Sequence, residues 1–370
     1  MSSAPALVDH EQVRAGVDAA LAHHMTALAE ELVAIGPDSA DLLTAMRDML
    51  TGGKRLRAAF CYWSWRAHGG AESAHAAGRE QVLRVGAALE LFQAAALFHD
   101  DVMDDSDTRR GRPAAHRSFA ALHEDHGWSG PSEQFGDSSA ILLGDLALIA
   151  CEREFAAALE PLDLSLRRTA RQVFDRMRTE VTVGQYLDVR TQALPWGLDA
   201  GSDERRAREV IRAKSARYSV EHPLVLGAVL AGADDAAVSL CRTVGLPLGE
   251  AFQLRDDLLG VFGDPAATGK PAGDDLREGK RTVLVVRAVQ AAASDERDLI
   301  LTHLGRRDLT GPEVEAVQAA VAGSGAVESV EQLITGLASP ALDALAGAPL
   351  REPGRGMLLS LGRAAVDRLA

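Results

Sequence analysis

Apolar residues recur every three or four positions along most of the chain, which is the spacing of one face of an α-helix. No sustained alternation of apolar and polar residues predicts a sheet. The segment 81–104 is unusually apolar, so we expect it to lie in the core. The predicted helical segments are 8–35 (as one or two helices), 39–50, 54–67, 81–104, 138–159, 162–191, 220–232, 236–262, 282–293 and 311–322, with a further helix that begins near Asp203 and has Ser202 as its cap.

The predicted connections between these helices are loops at 123–137 and 263–281 and a glycine- and proline-rich piece at 344–356. None of them resembles a long interdomain linker. We therefore expect residues 1–370 to form one all-α domain. We expect the first loop, including its His123–His126 stretch, to lie on the surface and not to bind a metal.

The amino-acid composition agrees with a helical protein and limits the classes of molecule that it could bind. Alanine is frequent and aromatic residues make up only 4%, which favours helices over a β-sandwich or barrel. The formal net charge of -14 disfavours a general nucleic-acid-binding surface and is compatible with divalent cations as partners. The separated Cys61, Cys151 and Cys241 disfavour a disulfide scaffold or a zinc ribbon. We find no signal peptide at the start and no transmembrane segment, and expect a cytoplasmic protein.

The most informative stretch of the chain is 96–113, where an apolar run is followed by an aspartate cluster and then by three arginines. Asp100 and Asp104 are one helical turn apart and share a face, with Asp101 beside them. Two carboxylates about 4 Å apart repel by roughly 4 kcal/mol at an effective dielectric of about 20. Mg²⁺ would compensate this repulsion, because it prefers oxygen ligands. The alternative is a solvated acidic turn. The cluster comprises Asp100, Asp101, Asp104, Asp105 and Asp107, and the arginines are Arg109, Arg110 and Arg112.

Three further segments strengthen the hypothesis of a diphosphate site. In 251–264 an apolar helix again carries Phe-Gln and then two adjacent aspartates, and we expect the two aspartate-bearing helices to face each other across a cavity. The glycine pair in 52–57 opens a helix with Lys54, Arg55 and Arg57, where an anion is attracted to the helix start. The glycine-rich loop 263–282 carries lysines that suit a bound phosphate. Taken singly, the last two segments are compatible with a basic surface turn and a solvated loop.

Together these segments resemble the trans-isoprenyl diphosphate synthases, or polyprenyl synthetases, over about residues 45–290. The resemblance is carried in order by GGKRLR, HDDVMD with DTRRGRP, GQYLD, and FQLRDD with GKPAGDDLREGKRT. It implies a single-domain helical bundle around a deep apolar cavity, usually a homodimer. It also implies Mg²⁺ as cofactor, with three ions when substrate is bound, and isopentenyl and allylic diphosphates as substrates.

The resemblance also implies roles for residues at matching positions. The implied metal ligands are Asp100, Asp101, Asp104, Asp256 and Asp257, and these together with Lys214 form the implied catalytic set. The implied substrate-binding residues are Gly53, Lys54, Arg57, Gln93, Arg109, Arg110, Gln185, Lys214, Ser215, Gln253, Lys270 and Lys280. In particular, Arg109 resembles the ligand of the allylic diphosphate, and Lys214 resembles the lysine that binds the leaving diphosphate.

One position departs from the family pattern: Gly260 stands where many relatives have the third aspartate of the second motif. This departure weakens one metal contact or marks an inactive regulatory subunit. We favour an active enzyme in which Asp264 or a water molecule takes the missing place. His99, beside Asp100, is expected to orient or pack and not to act as a base.

Product length depends on the helix before Asp100. Ala95 and Ala96 occupy the places where large aromatics in this family close the cavity early, and Phe92 is the next candidate floor. One helical turn spans about 5.4 Å, so this floor suits a C20 product, geranylgeranyl diphosphate. Products of C25 or longer and the inactive subunit remain the alternatives. A class I terpene cyclase is disfavoured because it needs no GGKRLR segment, and a metal-storage bundle because no facing Glu/His ligands are evident.

Overall fold

Helices carry most of the chain in the computed structural model, which describes residues 10–197, 201–264 and 273–367. The α-helices are α1 (Val13–Ile35), α2 (Ala40–Leu50), α3 (Leu56–Ala67), α4 (Arg79–Met103), α5 (Ala115–Asp125), α6 (Ser132–Leu159), α7 (Leu164–Ala193), α8 (Ser202–Val210), α9 (His222–Leu230), α10 (Asp235–Phe262), α11 (Asp274–Glu278), α12 (Val283–Ala291), α13 (Ser294–His303), α14 (Gly311–Gly323), α15 (Ala326–Gly347) and α16 (Gly354–Val366). Short 3₁₀ turns occupy His10–Gln12 and Pro37–Ser39, and Ile211–Glu221 is a π-helical segment. The described strands are β1 (Thr108–Arg109) and β2 (Arg112–Pro113), which pair antiparallel.

The predicted all-α fold is confirmed, but α5 and α13 lie outside the predicted helical segments, and other differences lie at the ends of elements. Helix α3 begins at Leu56 and not at residue 54, because Arg55 adopts a left-handed conformation with φ of 52°. Ser202 is not a cap: Gly201 is the N-cap residue of α8, and the Ser202 hydroxyl accepts a hydrogen bond from Arg206 at 2.6 Å. The signal-peptide prediction concerns the N-terminus, where residues 1–9 lie outside the described residues.

The predicted loop 123–137 is wrong, because α5 and α6 occupy both of its ends. His123 is buried, and its ring lies 6.0 Å from that of Trp128 and 5.4 Å from that of Phe135. An aromatic cluster therefore holds this connection, which explains why helices continue into it. The predicted loop 263–281 likewise contains the short helix α11.

The chain divides into two compact units, the first of which comprises Met1–Val173, Pro223–Ser239 and Pro349–Leu361. Helix α4 packs there against α1, α3 and α6. Among the described helices, α4 alone is long and apolar enough to cross a membrane by length and composition, but 72% of its most apolar window is buried inside the protein. This burial is typical of the core helix predicted for 81–104.

The second unit comprises Phe174–His222, Leu240–Ala348 and Gly362–Ala370. Its π-helical segment packs closely on α7 and α10 at two glycines. A Cβ on Gly184 would lie 2.4 Å from the backbone nitrogen of Lys214, and a Cβ on Gly249 would lie 2.2 Å from the carbonyl oxygen of Ala216. Only glycine permits these approaches, so both positions place the backbone that carries Lys214. The expectation that the whole chain forms one domain stays a prediction.

Candidate functional site

The first aspartate cluster lies at the end of α4 in the first unit. Asp101 is fully buried, and Arg109 Nε donates a hydrogen bond to its Oδ1 at 2.9 Å. The same guanidinium group lies 4.0 Å from Asp100 Oδ2. Asp104, which ends the helix, is also buried. Three carboxylates of the predicted cluster are therefore placed at one helix end, with a guanidinium group on two of them.

A tight hairpin brings Arg109 back onto the helix. Arg110 and Gly111, which join β1 to β2, have φ of 55° and 74°. Positive φ at both central residues is typical of the turns that match the twist of a two-stranded hairpin. The other two aspartates of the stretch, Asp105 and Asp107, instead pair with Arg117 at 2.7 and 2.9 Å. The cluster is thus divided, and Asp105 and Asp107 form ion pairs with helix α5.

The GGKRLR segment contains a buried ion-pair network that the sequence reasoning missed. Arg55 is 5% exposed and donates hydrogen bonds to Asp18 Oδ1 at 2.8 Å, to Glu90 Oε2 at 3.1 Å and to the carbonyl oxygen of Leu50. A Cβ on Gly53 would lie 2.8 Å from Arg55 Nη1, so glycine leaves room for this side chain. Lys54 is exposed and precedes α3, which corrects its predicted place inside a helix.

Arg110 joins the hairpin to the end of α2, immediately before the GGKRLR segment. Its Nη1 donates to the carbonyl oxygens of Met49 and Thr51 at 2.8 and 3.3 Å, which are acceptors at the end of α2. Burial lowers the pKa of Arg110; Glu90 opposes this shift, and the charges of Arg55, Arg109 and Arg57 add to it. Several guanidinium groups therefore lie close together, an arrangement that suits an anion with several oxygens.

The residues assigned to the substrate tail lie on α4. Phe92 and Ala95 are buried, with exposures of 3% and 0%, and Gln93 and Ala96 are partly exposed. Phe92, Ala96 and Asp100 follow one another at four-residue spacing and so share one face of the helix.

His99 contacts helix α6, where its Nε2 lies 3.4 Å from Asp145 Oδ1. Its Nε2 lies 3.1 Å from the carbonyl oxygen of Ile141, and a Cβ on Gly144 would lie 2.3 Å from the same nitrogen. This geometry agrees with an orienting or packing histidine.

The second aspartate pair lies near the end of α10 in the second unit. Asp256 is exposed, whereas Asp257 is 6% exposed and accepts a hydrogen bond from Gln253 Nε2 at 2.9 Å. Asp257 Oδ2 is buried and has no hydrogen-bond partner among the residues that the structure describes. Burial raises the pKa of Asp257 well above its usual value, and the charge of Asp275 adds to this effect. The hydrogen bond from Gln253 and the charge of Lys280 oppose this rise.

Asp275 occupies the space beside Gly260. A Cβ on Gly260 would lie 1.9 Å from Asp275 Oδ2, so no larger residue fits without displacing that carboxylate. Lys280 Nζ lies 3.6 Å from Asp275 Oδ1 and 2.5 Å from Glu278 Oε2. Asp264, proposed from the sequence as a substitute, is exposed beyond the end of α10. Lys270 lies outside the described residues.

Lys214 and Ser215 belong to the π-helical segment, a rare conformation that is found mostly at functional sites. Lys214 Nζ donates to Asp188 Oδ2 at 2.7 Å. Asp188 follows Gln185 by three positions on α7, so the two share a helix face. The GQYLD motif includes Asp188, but the ion pair between Asp188 and Lys214 depends on the close packing at Gly184 and is not visible in the sequence.

The acidic groups fit an open divalent-cation site better than a closed one. Among residues 10–197, 201–264 and 273–367, no three His, Cys, Asp or Glu side chains are grouped as a metal centre. Mg²⁺ usually keeps waters and substrate phosphates in its shell, so one or two carboxylates per ion suffice. The buried Oδ2 of Asp257 and the carboxylates of Asp100 and Asp101 are oxygen donors of the required kind.

Comparison with known proteins gives consistent matches. The model of the polyprenyl synthetase family matches residues 40–321. A geranylgeranyl diphosphate synthase from Sulfolobus acidocaldarius is 31% identical over 71% of this chain and 71% of its own. A geranylfarnesyl diphosphate synthase from Aeropyrum pernix is 30% identical over 84% of this chain and 88% of its own. These two names denote different product lengths, so similarity does not decide the product.

A solved structure is similar over almost the whole chain. The crystal structure of a geranylgeranyl pyrophosphate synthase from Corynebacterium glutamicum, complexed with isoprenyl diphosphate and magnesium, matches with a TM-score of 0.90 and 36% identity. The match covers 96% of this chain and 98% of that chain.

Proposed function

Because this chain belongs to the polyprenyl synthetase family, we propose that it joins isopentenyl diphosphate head to tail to allylic diphosphates and that its main product is geranylgeranyl diphosphate, a C20 chain. The family predicted from the sequence is confirmed. Its members are trans-prenyl diphosphate synthases, so the protein is a prenyl transferase that acts on isoprenyl diphosphates and depends on a divalent metal.

The observation that carries the proposal is the group of arginines around Arg110. A single diphosphate bound by the aspartates is compatible with a terpene cyclase as well as with a chain-elongating enzyme, so it does not distinguish the two. Arg57 and Arg110, which lie beside Arg55 and Arg109, form a second basic group that supports a second diphosphate substrate. Lys54, Arg57 and Arg110 are therefore assigned to isopentenyl diphosphate, with Gly53 leaving room for the segment and Gln93 near the isopentenyl group.

The allylic diphosphate is assigned to the end of α4. Asp100, Asp101 and Asp104 would hold the divalent cations that neutralise it, and Arg109 would bind its oxygens directly with its planar fork. Bound cations supply the positive charge that stabilises the negative charge developing on the departing diphosphate. The buried, ion-paired setting of Asp101 fixes the direction in which its carboxylate is presented.

Residues of the second unit are assigned a further role toward the diphosphate that departs from the allylic substrate. Lys214 is held by Asp188 at 2.7 Å and is therefore oriented before substrate binds. Asp256 and Asp257 hold a further cation, and Gln253 orients Asp257. The remaining residues assigned to this diphosphate are Gln185, Ser215, Lys270 and Lys280.

The chemistry needs no side-chain nucleophile. The allylic C–O bond breaks, both electrons leave with the diphosphate, and a delocalised carbocation remains. The isopentenyl double bond attacks this cation to form the new C–C bond. Loss of a proton then gives a chain five carbons longer, and the released diphosphate accepts that proton. His99 is assigned no role in this step; its Nε2 lies 3.1 Å from the carbonyl oxygen of Ile141 and 3.4 Å from Asp145 Oδ1, both on α6.

The C20 product is supported by the residues on α4. Ala95 and Ala96 leave space one turn from the aspartates, and buried Phe92 provides the floor one turn further on. A longer product or an inactive regulatory subunit remains the alternative. We also propose that the enzyme binds three magnesium ions, forms a homodimer and is located in the cytoplasm. The location agrees with the three buried free cysteines.

A product assay tests the proposal. The purified protein is incubated with Mg²⁺, labelled isopentenyl diphosphate and, separately, C5, C10 and C15 allylic diphosphates, and the products are sized after removal of diphosphate. A dominant C20 alcohol is expected. Longer products would retain the synthase and remove Phe92 as the floor. Absence of elongation from folded protein with every starter would support the inactive subunit.

A further inference from the structure

We propose that Asp275 supplies the third carboxylate of the second aspartate-rich motif and, together with Asp257, binds a magnesium ion there. The inference rests on the proposed function, because that ion belongs to a diphosphate-binding site. It replaces the sequence-based suggestion that Asp264 or a water fills the place left empty at Gly260.

The first observation is spatial. Asp275 Oδ2 lies only 1.9 Å from the position that a Cβ of residue 260 would occupy. An aspartate at position 260 would extend a carboxylate from that Cβ, so Asp275 already fills the space at the root of the missing side chain. Asp275 is 8% exposed, which means that the carboxylate is directed into the protein and not into solvent. The Asp275 carboxylate of α11 therefore occupies the space that a side chain at position 260 would fill.

The second observation is the buried oxygen of Asp257. Its Oδ1 is bound by Gln253 at 2.9 Å, and its Oδ2 has no hydrogen-bond partner among the described residues although the side chain is 94% buried. An ionised carboxylate oxygen left in this state is costly unless a positive charge is close to it. Asp257 and Gly260 are three positions apart on α10, so the Asp275 carboxylate beside Gly260 lies on the helix face that carries Asp257. A divalent cation is a suitable partner for these oxygens, because Mg²⁺ prefers oxygen ligands.

The local charges support the assignment. Lys280 Nζ is nearer to Glu278 Oε2, at 2.5 Å, than to Asp275 Oδ1, at 3.6 Å. The ammonium group of Lys280 therefore lies beside two carboxylates of α11. A hard divalent cation with oxygen ligands suits such a site and leaves open positions for diphosphate oxygens.

The experiment compares metal affinity in three folded variants and the wild-type protein. Mn²⁺ is titrated in the presence of inorganic diphosphate, the free ion is quantified by electron paramagnetic resonance, and a protein-free blank is subtracted. Asp275→Ala is expected to weaken one class of Mn²⁺ sites about tenfold or more, as removal of supporting groups does at other metal sites. Gly260→Asp/Asp275→Ala restores a carboxylate from α10 and is expected to recover most of the affinity.

The matched control is Asp274→Ala, which removes the same charge one residue away on α11 and should leave Mn²⁺ binding unchanged. Wild-type affinity in folded Asp275→Ala, or no recovery in the folded double variant, would overturn the inference. Circular dichroism reports folding. Should Asp275→Ala fold poorly, Gly260→Ala replaces it: its methyl group displaces the Asp275 carboxylate and should also weaken binding, and unchanged affinity would contradict the proposal.

The same samples separate this inference from the proposed function. Wild-type protein that elongates allylic diphosphates while Asp275→Ala binds Mn²⁺ normally would retain the function and remove the site. Protein that shows the expected metal affinities but elongates no starter would retain the site and remove the function.

Discussion

Arg55 donates a hydrogen bond to Glu90 at 3.1 Å, and both side chains are at least 95% buried. Arg55 is also held in the left-handed region with φ of 52°, which costs about 1–2 kcal/mol for a residue with a Cβ. Its hydrogen bonds to Glu90, Asp18 and the end of α2 offset this cost. The pair therefore positions the GGKRLR segment between two helices, although neither residue belongs to the assigned substrate contacts.

We expect Glu90→Gln to lower the free energy of unfolding by on the order of 1–3 kcal/mol, because a charged acceptor of a buried guanidinium group is lost. KM for isopentenyl diphosphate should rise more than KM for the allylic substrate, since Lys54 lies on the affected segment and Arg110 binds the end of α2 just before it. Urea denaturation and steady-state kinetics measure both effects.

The control is the exposed pair Arg112–Asp48, whose atoms are 3.2 Å apart. Both side chains are more than half exposed, so Asp48→Asn should change stability by less than about 1 kcal/mol. Equal losses from Glu90→Gln and Asp48→Asn would contradict a special role for the buried pair.

We expect Asp101→Ala and Lys214→Ala each to reduce kcat at least about 100-fold, because each removes charge stabilisation of the departing diphosphate. Circular dichroism should show that both proteins stay folded. Asp107→Ala is a matched control, since that carboxylate pairs with Arg117 outside the proposed metal site. Near-normal rates from the Asp101 and Lys214 variants would reject the site assignment.

Phe92→Ala should lengthen the products, because it removes the proposed floor of the cavity. A cost of about 3–5 kcal/mol in stability is also expected for truncating a buried phenylalanine. Phe98→Ala is the control: Phe98 is equally buried on α4 but faces another side of the helix, so its loss should cost stability without changing product length. Chromatography of the product alcohols measures their chain lengths. An unchanged distribution of chain lengths in the Phe92 variant would show that Phe92 is not the floor of the cavity.

The pH dependence of stability should depend on Glu180. Burial alone raises its pKa, but His222, whose Nε2 lies 2.7 Å away, and Arg176, which donates at 2.8 Å, bring the pKa down to about 2. The folded pKa lies below the ordinary value of 4.5, so this carboxylate stabilises the protein above about pH 5 and loses its contribution as the pH falls toward 2.

We expect Glu180→Gln to cost on the order of 1–2 kcal/mol at pH 7, after allowance for partial solvent screening. The difference between wild type and variant should shrink as the pH falls below 4.5. Urea denaturation at pH 7, 5, 4 and 3 measures it. A difference that stays constant over this range would show that the loss does not arise from the ionised carboxylate.

Much of the fold was predictable because helical periodicity is a local property. The spacing of apolar residues placed α4 in the core, and the burial of its most apolar window agrees with this prediction. The predicted helix boundaries that proved wrong depend on contacts between residues that are far apart in the sequence. The start of α3 is shifted by the left-handed Arg55, whose partners Asp18 and Glu90 are 37 and 35 positions away.

The family and the chemical groups of the site were also determined by the sequence alone, because carboxylates and arginines at fixed spacing recur in an ordered set of motifs. Their partners were decided only by the tertiary structure. Lys214 meets Asp188 because Gly184 lets two helices approach, and Asp275 stands beside Gly260 because α11 returns to α10. Sequence spacing specifies which residues share one helix face, whereas contacts between helices depend on packing that only the folded chain brings about.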